Sequence, residues 1–261
     1  ALPICCIYDY IAMVLMTPSL TLLAAGSLKS AFIPLLARFQ QQTGIPVEVH
    51  FGPAGLLRER IEGGEPCSVF ASANSQHPQV LRQAGLAGAC YLFARNQLML
   101  TARRGATTET REWLALLSDP DLRLATSTPG CDPSGDYTWQ LFSHIEERCP
   151  GVGAAIMARA RPLVGGRDSL PVPAGEIAGA WLIRENLTDL FIGYAHYAAQ
   201  MAACSDLRTL LIPPAWNVRC DYLLAQIEQS AGAQRLCRFI LGAEGQRLLK
   251  DAGFLPINDE S

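Results

Sequence analysis

The most constraining feature of this sequence is the alternation of short apolar segments with amphipathic helical segments in its first third. The apolar segment 21–25 reads as a buried strand, and apolar side chains then recur at helical spacing over 28–39. Ser27 is a natural N-cap for this helix and Gly44 a natural stop. The same stretch continues with a strand at 46–51, a helix ending at 63–64 and a strand at 68–71. This order predicts a parallel sheet with right-handed crossovers.

The rest of the chain predicts a second α/β unit. The apolar segment 92–102 is long enough to leave one lobe and enter another, and we expect the chain to return near residue 218. Further strands are predicted at 122–126, 190–194 and 207–212, and helices over 137–145, 174–186, 222–229, 233–241 and 244–252. We therefore expect an α/β protein of two lobes around a cleft, joined by two crossing segments. Lobe I comprises 19–97 and 219–261, lobe II comprises 98–218, and residues 1–18 form an N-terminal appendage.

Composition excludes several classes of protein. Of the 261 residues, 49% are hydrophobic, which is too many for a disordered chain. Lys and Arg total 21 against 24 Asp and Glu, so no basic excess favours nucleic acid as a partner. The nine cysteines include no C-x-x-C pair, which argues against zinc ribbons and thioredoxin-type redox motifs. No segment is long and apolar enough to span a bilayer, and the first 28 residues, which lack Lys and Arg, form a poor secretory signal.

Four places share one pattern, in which a strand ends, small or polar residues turn, and a helix begins. They are Gly26-Ser27, Pro53-Ala54-Gly55, Asp132-Pro133-Ser134-Gly135 and the loop before Glu176. Free backbone N–H groups at helix starts bind anions without any Lys or Arg. The four histidines form no metal-binding motif, and no nucleophile elbow or Walker lysine motif occurs. The sequence therefore favours anion binding over catalysis, and we expect no enzyme and no cofactor.

Several segments together resemble the molybdate-binding proteins that serve ABC importers. The resemblance is carried by LTLLAAGSLKSAF, GIPVEVHFGPAGLLRERIEGGEPCSVFASAN, FARNQLMLTAR, DPSGDY and LGAEGQRLLKDAGFLPI. It covers about residues 19–257, and the AGSL, FARN and DPSG forms resemble the tungstate/molybdate-binding branch. It implies a type II periplasmic-binding-protein fold whose lobes close on molybdate or tungstate, a monomer in the periplasm or outside the cell, and delivery to an ABC permease.

The resemblance also assigns site residues. The family's first serine ligand falls on Ser27, its amide-donating middle loop on Ser134 and its tyrosine donor on Tyr194. The family's second serine falls on Ala54, which is a departure, because only the amides of Ala54 and Gly55 could replace the lost hydroxyl. This departure leaves the preferred oxyanion open.

Two carboxylates match acidic positions of the tungstate branch. Glu176 lies eighteen positions before Tyr194, and Asp132 precedes Pro133. A carboxylate facing the oxygens of a dianion is repulsive, so each would help only as a direct ligand of the molybdenum or tungsten atom. In the alternative interpretation Asp132 caps the following helix and Glu176 is solvated. A receptor for another small anion, such as a carboxylate, or an anion-sensing module also remains open.

Overall fold

The computed structural model describes residues 19–257, which form two lobes, each built on a five-stranded sheet. The strands are β1 (Leu20–Ala25), β2 (Val47–Gly52), β3 (Val69–Ser72), β4 (Cys90–Asn96), β5 (Leu98–Arg103), β6 (Leu124–Ser127), β7 (Arg161–Val164), β8 (Leu190–Tyr194), β9 (Leu207–Leu211) and β10 (Cys220–Gln226). The helices are α1 (Lys29–Thr43), α2 (Ala54–Glu62), α3 (Gln76–Gln83), α4 (Trp113–Leu117), α5 (Pro133–Arg148), α6 (Val152–Arg159), α7 (Ala178–Arg184), α8 (Ala198–Ala202), α9 (Ala231–Leu241) and α10 (Ala243–Asp251). Short 3₁₀ turns precede α1 at Gly26–Leu28 and α8 at Ala195–Tyr197.

The sheet of the first lobe has the strand order β2-β1-β3-β10-β4. As predicted, β1 runs parallel to β2 and β3, with α1 and α2 as the crossovers. The apolar face of α1 is buried as its spacing predicts, and Gly44 ends the helix with a φ of 71°. The sheet as a whole is mixed, because β10 is antiparallel to both of its neighbours, β3 and β4.

The helix predicted over 222–229 is wrong, because this segment lies largely in strand β10. Tyr222, Leu224 and Ala225 are fully buried, and the backbone of β10 pairs with β3 on one side and β4 on the other. Its Leu-Leu-Ala run is compatible with a helix by propensity, but partners more than 120 residues earlier in the chain fix it as a strand. Tertiary context here overrides local preference.

The sheet of the second lobe has the order β7-β6-β8-β5-β9. The segment 92–102, predicted as one strand, is two: the chain leaves the first sheet with β4 and enters the second with β5 after the single residue Gln97. The chain returns to the first sheet between β9 and β10. These two crossings support the predicted lobe boundaries at 97/98 and 218/219, which stay a prediction.

Two local predictions need correction. Ser27 does not cap a helix, because neither the 3₁₀ turn nor α1 has a side-chain cap, and its hydroxyl is bonded elsewhere. The helix predicted from Ala174 begins only at Ala178, after two prolines and a glycine with a φ of 87°. Trp181, predicted to point inward, is partly exposed.

Within residues 19–257, no helix is long and apolar enough to cross a membrane. The appendage predicted at 1–18 lies outside the described residues.

Candidate functional site

A cleft of about 740 Å³ lies between the two lobes. Six of the seven predicted site residues line it: Ser27, Ala54, Asp132, Ser134, Glu176 and Tyr194. The seventh, Gly55, is outside the lining. The residues come together because parallel strands end at the same edge of each sheet, and these two edges face the cleft. Ser27 follows β1, Ala54 follows β2, and Tyr194 is the last residue of β8.

Tyr194 presents a buried hydroxyl to the cleft. Its side chain is only 5% exposed, and its hydroxyl interacts with the Tyr222 hydroxyl but makes no well-formed hydrogen bond among the described residues. Burial raises the pKa of this phenol well above its usual value, so it stays protonated and can donate a hydrogen bond. A buried hydroxyl without a well-formed hydrogen bond costs free energy, and a ligand oxygen placed against it would reduce that cost.

The side chain of Ser27 is hydrogen-bonded to a buried residue of the first lobe. Its side-chain oxygen lies 3.1 Å from the hydroxyl of Tyr222, in the central part of β10. The serine is half-buried and lines the cleft. Its contact with Tyr222 was not predicted, since the two residues are 195 positions apart.

Asp132 and Ser134 form the start of α5. The Asp132 carboxylate accepts a 3.1 Å hydrogen bond from the backbone nitrogen of Ser134, which makes Asp132 the N-cap of this helix. Burial raises the pKa of Asp132 to about 6, while the Ser134 backbone and the Ser127 side chain oppose that shift. In this conformation the Ser134 amide is therefore engaged by the cap. The loop at Gly165 packs so closely that a β-carbon there would lie 2.6 Å from the Asp132 carboxylate.

At the start of α2, Ala54 faces the cleft, whereas the amide of Gly55 contacts the opposite lobe. Gly55 donates its amide to the carbonyl oxygen of Cys131 at 2.8 Å, so this amide is not free for a ligand in this conformation. Ala54 is the first residue of α2, and its amide has no partner within the helix. Ala54 is fully buried and lines the cleft.

Glu176 lines the cleft from the loop before α7. It is exposed and forms a 3.3 Å ion pair with Arg184 at the end of α7. It lies two residues before α7, whereas the helix predicted over 174–186 would have placed it in the first turn. Residues 19–257 contain no group of three or more His, Cys, Asp or Glu side chains that could hold a metal ion. A direct bond from Asp132 or Glu176 to the metal of a bound oxyanion stays a prediction.

Two cationic side chains that the sequence reasoning missed also line the cleft. Lys29 follows Ser27 by two residues, and this closeness in sequence could have revealed it. Arg167 lies in the loop after β7 of the second lobe and forms an ion pair with Glu59 of α2 in the first lobe. With the acidic Asp132 and Glu176, these residues leave the lining without net formal charge, so binding of an anion must depend mainly on hydroxyl and amide donors.

Comparisons with known proteins agree with this architecture. The family model described as bacterial extracellular solute-binding protein matches residues 20–255. The uncharacterized protein PM1146 of Pasteurella multocida strain Pm70 is 44% identical over 239 residues, which cover 91% of this chain and 98% of that protein. This is a family of binding proteins, not of enzymes.

Two solved structures confirm the predicted two-lobed periplasmic-binding-protein fold. The periplasmic molybdate-binding protein of Azotobacter vinelandii superimposes with a TM-score of 0.71 at 20% identity, over 91% of this chain and 99% of that one. The sulfate-binding protein SubI from Mycobacterium tuberculosis H37Rv gives a TM-score of 0.73 at 17% identity, over 92% and 87%. At these identities the likeness shows the fold alone. Because the family model covers nearly all of the described residues, the chain belongs to the bacterial extracellular solute-binding protein family.

Proposed function

We propose that this protein is a receptor that captures a tetrahedral oxyanion, molybdate or tungstate, in the inter-lobe cleft for delivery to an ABC permease. The observation that carries the proposal is the convergence of Ser27, Ser134 and Tyr194 on one cleft between the lobes. Each of them brings a hydroxyl, and the buried Tyr194 hydroxyl makes no well-formed hydrogen bond within the described part of the chain.

A ring of neutral donors suits a small dianion. Hydroxyl and helix-start amide groups stabilise negative charge through hydrogen bonds, and hydrogen bonds to a charged acceptor are stronger than those to a neutral one. The Ala54 amide adds a donor at the start of α2. Since donors come from both lobes, the ligand is fully surrounded only when the lobes are together, and binding therefore selects the closed form.

We infer the preferred oxyanion from the carboxylates that line the cleft. The sulfate-binding and molybdate-binding structures superimpose about equally well on this chain, so the fold does not choose between their ligands. Asp132 places a carboxylate in the cleft, where it would repel the oxygens of any dianion. We propose that Asp132 and Glu176 bind the metal atom directly, which molybdenum and tungsten allow and the central atoms of sulfate and phosphate do not.

Delivery follows from family membership. Solute-binding proteins of this kind pass their ligand to an ABC transporter, and we infer the same partner here, with the protein acting as a monomer outside the cytoplasm. The ligand is cargo and undergoes no reaction.

Calorimetric titration with molybdate, tungstate, sulfate and phosphate tests the proposal. We expect molybdate and tungstate to bind with one site per chain and at least tenfold more tightly than sulfate and phosphate, a difference of about 1.4 kcal/mol or more. Absence of binding by all four anions would refute the transport of oxyanions.

A second candidate is a receptor of the same fold for a different small anion, such as a carboxylate. The replacement of the family serine by Ala54 favours it, because a hydroxyl donor to one oxyanion oxygen is missing. A thermal-shift screen distinguishes the two candidates. Stabilisation by an organic acid, together with no response to molybdate, would support the second candidate over the first.

A further inference from the structure

A chain of buried polar side chains runs from Ser27 to the junction between the lobes. The Tyr222 hydroxyl lies 3.1 Å from the Ser27 oxygen and accepts a 3.4 Å hydrogen bond from the side-chain nitrogen of Asn96. The same Asn96 nitrogen lies 2.9 Å from Nδ1 of His196. Tyr222, Asn96 and His196 are 0%, 1% and 6% exposed. Tyr222 lies in β10 and Asn96 ends β4, both in the first lobe, whereas His196 lies in the turn after β8 in the second lobe. This series of hydrogen-bonded side chains therefore links the two lobes.

The orientation of the Asn96 amide is fixed by the backbone. The Asn96 side-chain oxygen accepts a 2.9 Å hydrogen bond from the amide nitrogen of Gln97. A flipped amide would set two donors against each other there. The Asn96 nitrogen therefore faces both His196 and Tyr222, and its two hydrogens suffice for two acceptors. As that nitrogen can only donate, Nδ1 of His196 must accept, and the imidazole carries its hydrogen on Nε2.

The next hydrogen bond can run in the direction that a bound anion requires. The Tyr222 oxygen accepts from Asn96, so its own hydrogen is available to the Ser27 oxygen. Tyr222 is the one hydrogen-bond partner of the Ser27 hydroxyl within residues 19–257. When Tyr222 donates to Ser27, the Ser27 hydrogen is available to a ligand in the cleft that this serine lines.

We propose that His196, Asn96 and Tyr222 position the Ser27 hydroxyl as a hydrogen-bond donor to the anion in the cleft. The inference rests on the proposed function and adds three positioning residues to it, none of which lines the cleft itself. The oxygens of a dianion can only accept hydrogen bonds, so a bound anion selects the arrangement in which Tyr222 donates to Ser27 and Ser27 donates to the anion.

His196 suits this role because it stays neutral. Burial lowers its pKa to about 3, with the Ser27 backbone opposing the shift. Its ring stacks on Phe254 at a centroid distance of 4.5 Å and lies 3.8 Å from the ring centroid of Tyr197. A β-carbon on Gly253 would come within 2.8 Å of the His196 carbonyl oxygen, so the backbone there is closely packed. Nδ1 of His196 is thus a fixed acceptor for the Asn96 side chain, at the end of the hydrogen-bonded series opposite Ser27.

The tautomer of His196 gives a test that needs no ligand. Nitrogen-15 NMR of histidine-labelled protein, with the His196 signals assigned from the His196→Gln variant, should show a neutral ring protonated on Nε2. A ring protonated on Nδ1 would reverse the donor order and overturn the proposal.

A double-mutant cycle tests the consequence for binding. We expect Ser27→Ala to weaken molybdate binding by about tenfold or more, the loss of one hydrogen bond to a charged group. Tyr222→Phe keeps the ring contacts with Phe93 and Phe254 and should weaken binding by about three- to tenfold. In the Ser27→Ala background, Tyr222→Phe should cost less than about twofold, because no serine hydroxyl remains to be positioned.

Tyr137→Phe is the matched control for this cycle. Tyr137 is also a buried tyrosine, but its hydroxyl donates to the Asp221 carbonyl oxygen at 3.3 Å and not to Ser27. Its effect should be the same with or without the Ser27 hydroxyl. Equal losses for Tyr222→Phe in both backgrounds, with wild type binding normally, would overturn the positioning role alone. Failure of the wild-type protein to bind any of the four anions would overturn the proposed function, and the positioning role with it.

Discussion

The amide nitrogen of Gly55 in the first lobe donates a 2.8 Å hydrogen bond to the carbonyl oxygen of Cys131 in the second. A β-carbon on Gly55 would lie 2.5 Å from the carbonyl oxygen of Gly130 and 2.7 Å from that of Cys131. Both contacts are with backbone of the opposite lobe, so no side chain can move aside to relieve them. The absence of a β-carbon at residue 55 is thus what lets the lobes approach this closely.

Gly55→Ala should therefore weaken ligand binding more than it weakens folding. Because the clash exists only when the lobes are together, the variant should shift the protein toward the open form. We expect at least a tenfold loss of molybdate affinity and little change in melting temperature, measured by calorimetry and thermal unfolding. Gly105→Ala is the control, since a β-carbon at residue 105 meets nothing within 4 Å. Equal affinity of the Gly55→Ala variant and wild type would contradict the steric argument.

Ala54→Ser should strengthen oxyanion binding. It restores a hydroxyl at the buried first residue of α2, where the family resemblance expects a serine. One new hydrogen bond to a charged acceptor suggests a gain of about 1.5 kcal/mol, or roughly tenfold in affinity. Calorimetric titration of this variant and of Ala54→Gly, which adds no donor, would measure the effect. A serine variant that binds molybdate no more tightly than the glycine variant would remove residue 54 from the list of ligand contacts.

Much of this architecture could be predicted from sequence because it depends on local patterns. The helical spacing of Phe32, Leu35 and Phe39 describes a face that is buried, and Gly44 ends that helix as its position predicts. The D-P-S-G sequence predicts the cap at Asp132, which accepts from the amide two residues later. Each of these signals is complete within a few residues of the chain.

The features that sequence reasoning missed depend on distant partners. The sequence of β10 is compatible with a helix, but its hydrogen bonds to β3 and β4, which lie much earlier in the chain, make it a strand. The bonds from Ser27 to Tyr222 and from Asn96 to His196 join residues 195 and 100 positions apart. No spacing rule connects such pairs, because the fold alone brings them together. The buried hydrogen-bond network behind Ser27 was beyond prediction for the same reason.

Glu176→Gln should weaken tungstate binding by well over tenfold if the carboxylate binds the metal atom directly. An amide oxygen carries no charge to match the metal, and a tenfold loss corresponds to about 1.4 kcal/mol. The control is Arg184→Gln, which removes the 3.3 Å ion pair but keeps the carboxylate. We expect the control to change affinity by less than about threefold, since exposed ion pairs contribute little. Unchanged tungstate affinity in Glu176→Gln would count against coordination.

The pH dependence of binding separates the two possible roles of Asp132. A carboxylate bound to a metal must be deprotonated, so tungstate affinity should fall as the pH drops below about 6, the pKa of Asp132 in the free protein. A carboxylate facing only ligand oxygens predicts the opposite, because protonation would remove its repulsion of the dianion. Titrations between about pH 5.5 and 8 would decide, and Asp132→Asn should abolish the dependence. Affinity that rises toward acid would exclude coordination by Asp132.

The same carboxyl group makes a separate prediction for the stability of the ligand-free protein. Its pKa is raised from 3.8 to about 6 by burial, so the folded state binds the proton more tightly than the unfolded state. The stability that protonation contributes is fully present below about pH 4 and is lost as the pH rises through about 6.

Asp132→Asn keeps an oxygen that can accept from the Ser134 amide and removes the buried charge. The variant should therefore be more stable than wild type at pH 7, by of order 1–3 kcal/mol, and about equally stable at pH 4. Denaturant unfolding of both proteins at both pH values measures the difference in the free energy of unfolding. The comparison at pH 4 is the internal control. A variant less stable than wild type at pH 7 would show that the charged cap outweighs the cost of burying it.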